Sequence, residues 1–387
     1  MTLQHLRRRA GLAVLVSAFA LTAACGDAPT ASSPGGGTPS EGASSEVSAA
    51  TATSAEDFGG LEGLVEAAQA EGRLNVIALP PDWTNYAEVI DTFSKKYGIK
   101  VNSAQPDASS QDEINAAKQL AGTDRAPDVF DLGPSVATAN ADLFAPYKVQ
   151  TWEDVPDELK DPDGRFVSDY GGLMSIGYDA KAVPAPTSVK DLLKPEYKGK
   201  VALNGDPTQA GAAFTGVVMA ALGNGGSADD IKPGVDFFAQ LKKAGNFLPV
   251  DPTPATIASG QTPVVIDWDY TNAAQTVALQ GKRDWKVVVP QEALVSSYYV
   301  QAINQDAPHP AAARLWQEFL YSDEGQNLWL EGFGRPVREA AMVEAGTIDQ
   351  AAYAKLPKAQ GEPVSLTEEQ SAKAKEYLAA NWQAAIS

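Results

Sequence analysis

The chain is poor in the residues that most catalytic and metal sites need. Its 387 residues include one cysteine and two histidines. A lone thiol, Cys25, excludes an internal disulfide, so an exported form needs a core large enough to do without one. The histidines are His5, near the N-terminus, and His309, held between two prolines. A Ser-His-Asp or Cys-His arrangement in the body can draw only on His309. No HExxH, cysteine pair or histidine cluster points to zinc, and no GxxxxGK[ST] points to a phosphate-binding loop. Positive charge is also short: 30 Lys and Arg stand against 49 Asp and Glu, a net charge of −19. That balance argues against nucleic acid, which would repel it. Its plain reading is solubility, and its sharper reading a mild attraction for cations. No segment beyond the N-terminus has the roughly eighteen consecutive apolar residues of a membrane span.

What is there begins with a leader. Arg7, Arg8 and Arg9 precede an apolar run over 10–21, the length of a signal-peptide core. Thr22, Ala23 and Ala24 then lead to Cys25. This resembles a bacterial lipoprotein signal, cleaved just before the cysteine, whose sulfur then carries a diacylglyceryl group. Thr22 stands where such signals usually have an aliphatic residue; ordinary secretory cleavage and a Tat signal are the alternatives. Residues 26–58 are rich in Ser, Ala, Gly, Thr and Pro and have almost no large apolar side chain. They read as a disordered tether with a reach of roughly 30 Å. The expected layout is a signal over 1–24, a lipidated Cys25 with its linker over 25–58, and a body of about 330 residues, enough for two domains or one large one.

Strands and helices alternate along the body. "LNVIAL" (74–79) reads as a buried strand. In 85–96 the apolar residues Tyr86, Val89, Ile90 and Phe93 have helical spacing. "YGIKV" is a second strand, 112–121 a helix and "PDVFDLG" a third strand. This β-α-β-α-β order predicts a parallel sheet with crossover helices. Further strands are predicted over 200–203, 263–268, 285–289 and 297–304. Asp206 reads as the N-cap, with Pro207 at the first helical position, of a helix running to Leu222. Pro310 opens a late helix, Ser322 caps the next, and "TEEQ" (367–370) reads as the capping box of a terminal one.

Taken in order, several stretches resemble the extracellular solute-binding proteins of ABC importers. They are "DWTNYAEVIDTFSKKYGIKV", "INAAKQLAGTDRAPDVFDLG", "VPAPTSVKDLLKPEYKGKVAL" and "AINQDAPHPAAARLWQEFLYSDEGQNLWLEGFGRPV". The matches are spread over 73–338. The resemblance implies an α/β, two-lobed periplasmic-binding-protein-like (type II) fold with hinge crossings and a central ligand cleft. It further implies a monomer that closes on a small solute and delivers it to a membrane permease with its ATPase. Lobe one is expected to combine 59–168 with 296–335, and lobe two 169–295 with 336–387. The crossings fall near "YGGLMSIGY" and "VSSYYVQ".

Ligands of open α/β sheets collect beyond the carboxyl ends of strands. The candidates there are aromatic and acidic: Trp83, Thr84 and Tyr86 in "DWTNY", Tyr170 at the earlier crossing, Thr208 after Asp206, the run Asp267, Trp268, Asp269 and Tyr270, and Tyr298 of the adjacent pair Tyr298–Tyr299. Strand alternation sends only one of those two tyrosines inward, and puts Asp267 and Asp269 on one strand face. Aromatic faces beside carboxylates cradle an ammonium group, at about 0.5–2 kcal/mol per ring. The bland readings stand beside these. Trp83 and Tyr86 can staple a helix to its sheet, Asp82 and Asp206 can be plain N-caps, and "DWDY" can be a surface strand edge. "DWTNY" is similar to a loop of the polyamine binders, which implies a cationic ligand, although Asn85 stands where those proteins carry an acid. "SYY" is similar to the adjacent tyrosines of the ferric-iron binders; thiamine and phosphonate binders share the architecture. From another class, a carbohydrate-active enzyme would use a pair of the acids. A surface adhesion protein fits the βαβ pattern poorly. No metal and no cofactor is expected.

Overall fold

The structure is a computed structural model and describes residues 48–387. The signal, Cys25 and most of the expected tether lie outside those residues. The last part of that tether is not loose, however. Residues 55–58 form a short 3-10 helix, Ala52 and Ala55 are buried, and the Arg314 guanidinium donates to the carbonyls of Ala50 (3.0 Å) and Ala52 (2.7 Å). Composition hides this because alanine fills a core position without adding apolar bulk.

The body then opens with α1 (Leu61–Glu71), β1 (Arg73–Ile77), α2 (Tyr86–Tyr97), β2 (Lys100–Ala104), α3 (Ser110–Leu120), β3 (Val129–Leu132), α4 (Pro134–Ala139) and β4 (Phe144–Ala145). β5 (Phe166–Asp179) is the longest strand, followed by β6 (Val201–Leu203), α5 (Gly211–Gly223), α6 (Lys232–Ala244) and α7 (Pro254–Ser259). Next come β7 (Val264–Trp268), α8 (Asp269–Ala278), β8 (Trp285–Val288), β9 (Ser296–Asn304), α9 (Pro310–Leu320), α10 (Asp323–Glu331) and β10 (Arg335–Pro336). α11 (Glu339–Ala345), α12 (Gln350–Tyr353) and α13 (Glu368–Ile386) finish the chain. The predicted signals hold at the late helices. Pro310 starts α9, the Ser322 hydroxyl accepts from Gly325 N, and Thr367 and Gln370 close a capping box on α13.

β1 and β2 pair in parallel, Arg73 opposite Lys100, with α2 as the crossover. The third strand departs from the expected parallel order. β3 runs antiparallel to β9, Val129 opposite Ile303, so its partner arrives from far along the chain. The larger sheet has the order β3-β9-β5-β7-β6, with β10 and β8 on β5 and β4 on β9. β5 ties its two ends together. Its first half pairs with β9, from Phe166–Ala302 to Leu173–Ser296. Its second half pairs with β7, from Met174–Trp268 to Tyr178–Val264, and with β8.

Three further expectations change. Asp206 does not cap α5. Its carboxylate accepts from Thr208 N (2.8 Å) and the Thr208 hydroxyl (2.7 Å), closing a tight local turn that delays the helix to Gly211. Asp82 does not cap α2; Asn85, with φ 69°, holds that position. Finally, α11 and α12 go with α10 rather than with the second lobe: Leu330, Met342, Ile348, Ala352 and Leu356 form one buried cluster. α13 packs on α6, with Trp382 edge-on to Phe238 at 5.2 Å.

Candidate functional site

The site grows from an irregularity in β5. The register with β9 shifts between Ser168 and Gly171, and Asp169 and Tyr170 occupy the shift. Such bulges re-aim side chains and collect beside functional sites. Here the bulge brings Tyr170 against four other aromatics, of which Trp329 lies tilted at 5.2 Å. Its ring stacks on Tyr299 (5.6 Å, 19°) and meets Tyr270 (6.0 Å) and Tyr86 (6.1 Å) edge-on. Trp83 closes the group, edge-on to Tyr270 (5.5 Å) and Tyr299 (6.0 Å), and its indole N–H donates to the Tyr170 hydroxyl at 2.8 Å. Trp268 stacks on Tyr270 at 6.1 Å. The loop carrying Trp83 is held in a demanding conformation: Thr84 and Asn85 both have positive φ, and the Asn85 amide donates to Leu328 O. Gly332 lies so close that a Cβ there would meet the Thr84 carbonyl carbon at 2.6 Å, which requires glycine.

Behind the aromatic wall lies a group of buried acids. Asp131, on β3, accepts the Tyr86 hydroxyl at 2.7 Å and, more weakly, the Tyr170 hydroxyl at 3.4 Å. Glu113, on α3, accepts Asp131 N at 3.0 Å. Asp169 accepts Tyr170 N (2.6 Å) and the Gln301 amide (2.8 Å), and that amide also donates to the Tyr86 hydroxyl (3.2 Å). Among the described residues, the only buried carboxylate oxygens without a hydrogen-bond partner belong to Glu113 and Asp131. No ion pair among those residues involves Glu113, Asp131, Asp169 or Asp267.

Two more acids stand at the β7–α8 junction. The strand ends at Trp268 and Asp269 is already helical, so the two acids do not share a strand face as expected. Asp267 accepts Trp268 N at 2.7 Å. Asp269 reaches back to β5, accepting Leu173 N at 2.9 Å, and is paired with Arg335 at 3.0 Å. Burial sets the protonation of all five acids. It pushes Asp131 up to about 7, tempered by the Tyr86 and Tyr170 hydroxyls, and Asp267 up to about 7, tempered by the Asn204 side chain and Trp268 N. Burial, with the nearby Asp131 charge added, raises Glu113 and Asp169 well above the carboxylate range. Asp269 is raised too, with Arg335 opposing the rise. The Tyr299 hydroxyl is raised by desolvation and then by Asp131, Asp267, Asp169 and Glu113, so it lies within the field of both acid groups.

Of the predicted residues, Trp83, Tyr86, Tyr170, Trp268 and Tyr270 come together, with Thr84 buried in the same loop and Asp267 and Asp269 at the β7–α8 junction. Thr208 stays in its own turn, bonded to Asp206. Tyr298 does not join. It lies opposite Gly171 on the other face of β9, packed where a Gly171 Cβ would be, while its neighbour Tyr299 faces the cluster. Sequence reasoning chose Tyr298 over its neighbour Tyr299 and missed Glu113, Asp131, Asp169, Gln301 and Arg335. A signal existed for two of them: Asp131 interrupts an apolar strand, and Glu113 falls on the apolar stripe of α3 beside Ile114, Ala116 and Ala117.

Residues 127–358 match the family described as bacterial extracellular solute-binding protein, more than half of the chain. The chain belongs to that family. Solved structures place this solute-binding protein in the two-lobed, type II periplasmic-binding-protein fold. Iron-bound HitA from Pseudomonas aeruginosa is 20% identical, with a TM-score of 0.57 over 79% of this chain and 97% of that one. AfuA from Actinobacillus pleuropneumoniae, with fructose-6-phosphate bound, is 18% identical, with a TM-score of 0.60 over 82% and 99%. The spermidine/putrescine substrate-binding protein PotD from Streptococcus pneumoniae is 16% identical, with a TM-score of 0.58 over 81% and 99%.

Proposed function

We propose that this solute-binding protein captures a small organic cation, of the polyamine class, between two hinged lobes and passes it unaltered to the permease and ATPase of an ABC importer. One lobe combines 59–168 with 296–335, the other 169–295 with α13; the body works as a monomer held to the outer face of the membrane through a lipidated Cys25. The observation that carries the ligand class is the surplus of buried acid. Five carboxyl groups stand around one aromatic wall, and only Asp269 has an arginine. A buried charge without a partner is costly, and an entering ammonium group supplies that partner while the rings add cation–π attraction. Ferric iron is the weaker reading, because chelation by an adjacent tyrosine pair needs both hydroxyls on one side, and Tyr298 and Tyr299 point to opposite faces of β9.

The test is thermal unfolding against putrescine, spermidine, thiamine, ferric citrate, aminoethylphosphonate and fructose 6-phosphate. The diamine and triamine are expected to raise Tm most, by the mass-action stabilisation of a bound ligand. A large rise with an anion and none with any amine overturns the cation reading. Turnover of a glycan panel that Asp267→Asn or Asp269→Asn abolishes would favour the enzyme reading instead.

A further inference from the structure

The acids behind the aromatic wall are joined by a hydrogen-bonded chain. It runs from Asp169 through the Gln301 amide to the Tyr86 hydroxyl, on to Asp131, then through the Tyr170 hydroxyl to the Trp83 indole. Glu113 joins it at the Asp131 backbone N–H. The groups that face this chain are all named by the elements around it. α2 brings Tyr86, α3 Glu113, β3 Asp131, β5 Asp169 and Tyr170, and β9 Gln301 and Tyr299. The end of α9 adds Tyr321, whose hydroxyl is committed to Val167 O, and α10 adds Gln326, whose amide donates to Leu320 O and, more weakly, to Asp169 O. Across the wall stands Asp267. β10 lies against β5 at Tyr170 and brings two cations close, but Arg335 is paired with Asp269, and Arg338 with Asp154 and Asp323. No ion pair among the described residues reaches the three carboxyls, so they have only dipoles to lean on.

Three negative charges packed this way, with two oxygens left bare, are not a stable arrangement in a low-dielectric interior. Hydrogen-bond donors satisfy Asp169 at both oxygens but leave one oxygen each of Glu113 and Asp131 without a partner. A proton on one carboxyl removes a unit of charge from the cluster. We propose that the Glu113–Asp131–Asp169 cluster holds a proton in the ligand-free protein and gives it up when a cation enters the cleft. The O–H bond of one carboxyl breaks, the proton leaves to the buffer, and the carboxylate charge that remains balances an ammonium group of the ligand. Capture and proton release are then linked, and affinity rises with pH until the cluster is ionised. The raised values of all three acids agree with the geometry. This inference rests on the cation reading of the site.

Titration calorimetry of the full soluble body with spermidine, at about pH 6.5, tests it in two buffers of different ionisation enthalpy, phosphate and ACES. A polyamine's amines keep their protons at that pH, as lysine's does, so any proton released comes from the protein. About one proton per spermidine is expected. Infrared spectroscopy of the ligand-free protein supplies an arm that needs no ligand. A protonated-carboxyl carbonyl band is expected, weaker in Asp131→Asn and Glu113→Gln, and lost when spermidine is added to the native protein. Spermidine binding with identical heat in both buffers overturns the inference while leaving the cation reading intact, and so does a missing carboxyl band. No heat with spermidine or putrescine in either buffer overturns the cation reading and proton displacement together.

Discussion

Buried charge is handled in two ways in this molecule. Away from the Tyr170 cluster, the buried charged groups among the described residues have partners. Arg338 pairs with Asp154 (2.6 Å) and Asp323 (2.8 Å) and donates to Tyr321 O (2.7 Å). Glu71 caps α9 by accepting Ala311 N and Ala312 N, and Asp128 accepts Asn75 N, His309 N and the His309 ring. Around Tyr170 the pattern reverses: Glu113 and Asp131 each keep a bare oxygen, and no ion pair among the described residues includes them. The fold therefore has the means to satisfy buried charge and does not apply them here. Among the described residues, buried carboxylate oxygens without a partner are confined to the region where a ligand is proposed to bind.

The sharpest way to break this contrast is to make a satisfied acid resemble an unsatisfied one. Arg335→Met leaves Asp269, with none of its surface exposed, without its guanidinium. Removing one member of a buried pair costs about 3–5 kcal/mol; the partial exposure of Arg335 puts the expected loss near ~3 kcal/mol. Urea unfolding at neutral pH measures it. The matching Asp131→Asn change, which removes a charge that has no counter-ion, is expected to leave the ligand-free protein at least as stable as the native one. Equal losses from both substitutions would erase the contrast.

A second test uses pH. Asp131 and Asp267 titrate in the folded protein near 7 instead of the unfolded value of 3.8, so the folded state holds more protons in between. Their contribution to stability is complete below about pH 4 and is lost as pH rises through about 7. The expected decline for the ligand-free protein is on the order of 3 kcal/mol for each of the two acids across that window, read from unfolding midpoints at several pH values. Asp131→Asn should remove about half of it and leave the share of Asp267. A stability that instead increases steadily from pH 4 to 7 would mean that these acids are ionised and paired.

These contrasts also mark what the sequence makes legible. The alternation of strands and helices, the caps at Ser322 and Thr367 and the aromatic residues at strand ends are local signals, and they survive into the fold. The antiparallel pairing of β3 with β9 is set by a partner about 170 residues away, which no window of the sequence contains. Asp206 shows how near-equal local chemistries mislead: an aspartate before proline suits a tight turn as well as a helix cap. The acids of the cluster were hidden by abundance. Among 49 acidic residues, the apolar settings of Glu113 and Asp131 are weak local marks, and what sets the cluster apart is burial without an ion pair, which only the fold displays.

Trp83→Phe sharpens the comparison on the aromatic side. It keeps a ring in place and removes the N–H that donates to Tyr170, whose hydroxyl in turn leans on Asp131. A net hydrogen bond is worth about 0.5–1.5 kcal/mol, so spermidine affinity is expected to fall about 5-fold with little change in Tm. A drop of several degrees with unchanged affinity would instead make Trp83 a staple between α2 and the sheet.

The smallest expected effect separates two adjacent residues. Tyr298 and Tyr299 are alike in sequence, but only Tyr299 stacks on Tyr170 and feels both acid groups, whereas Tyr298 covers Gly171 on the opposite face. Tyr298→Phe keeps that cover and removes a hydroxyl with no side-chain partner in the cluster; affinity should change by less than about 0.5 kcal/mol, as for substitutions away from named mechanisms. Tyr299→Phe removes a hydroxyl poised among Asp131, Asp267, Asp169 and Glu113, and should weaken spermidine by about 1 kcal/mol. Calorimetry on the two variants decides between the faces. If Tyr298→Phe is the more damaging, the ligand reaches the other side of β9, and the acids behind Tyr170 lose their claim to it.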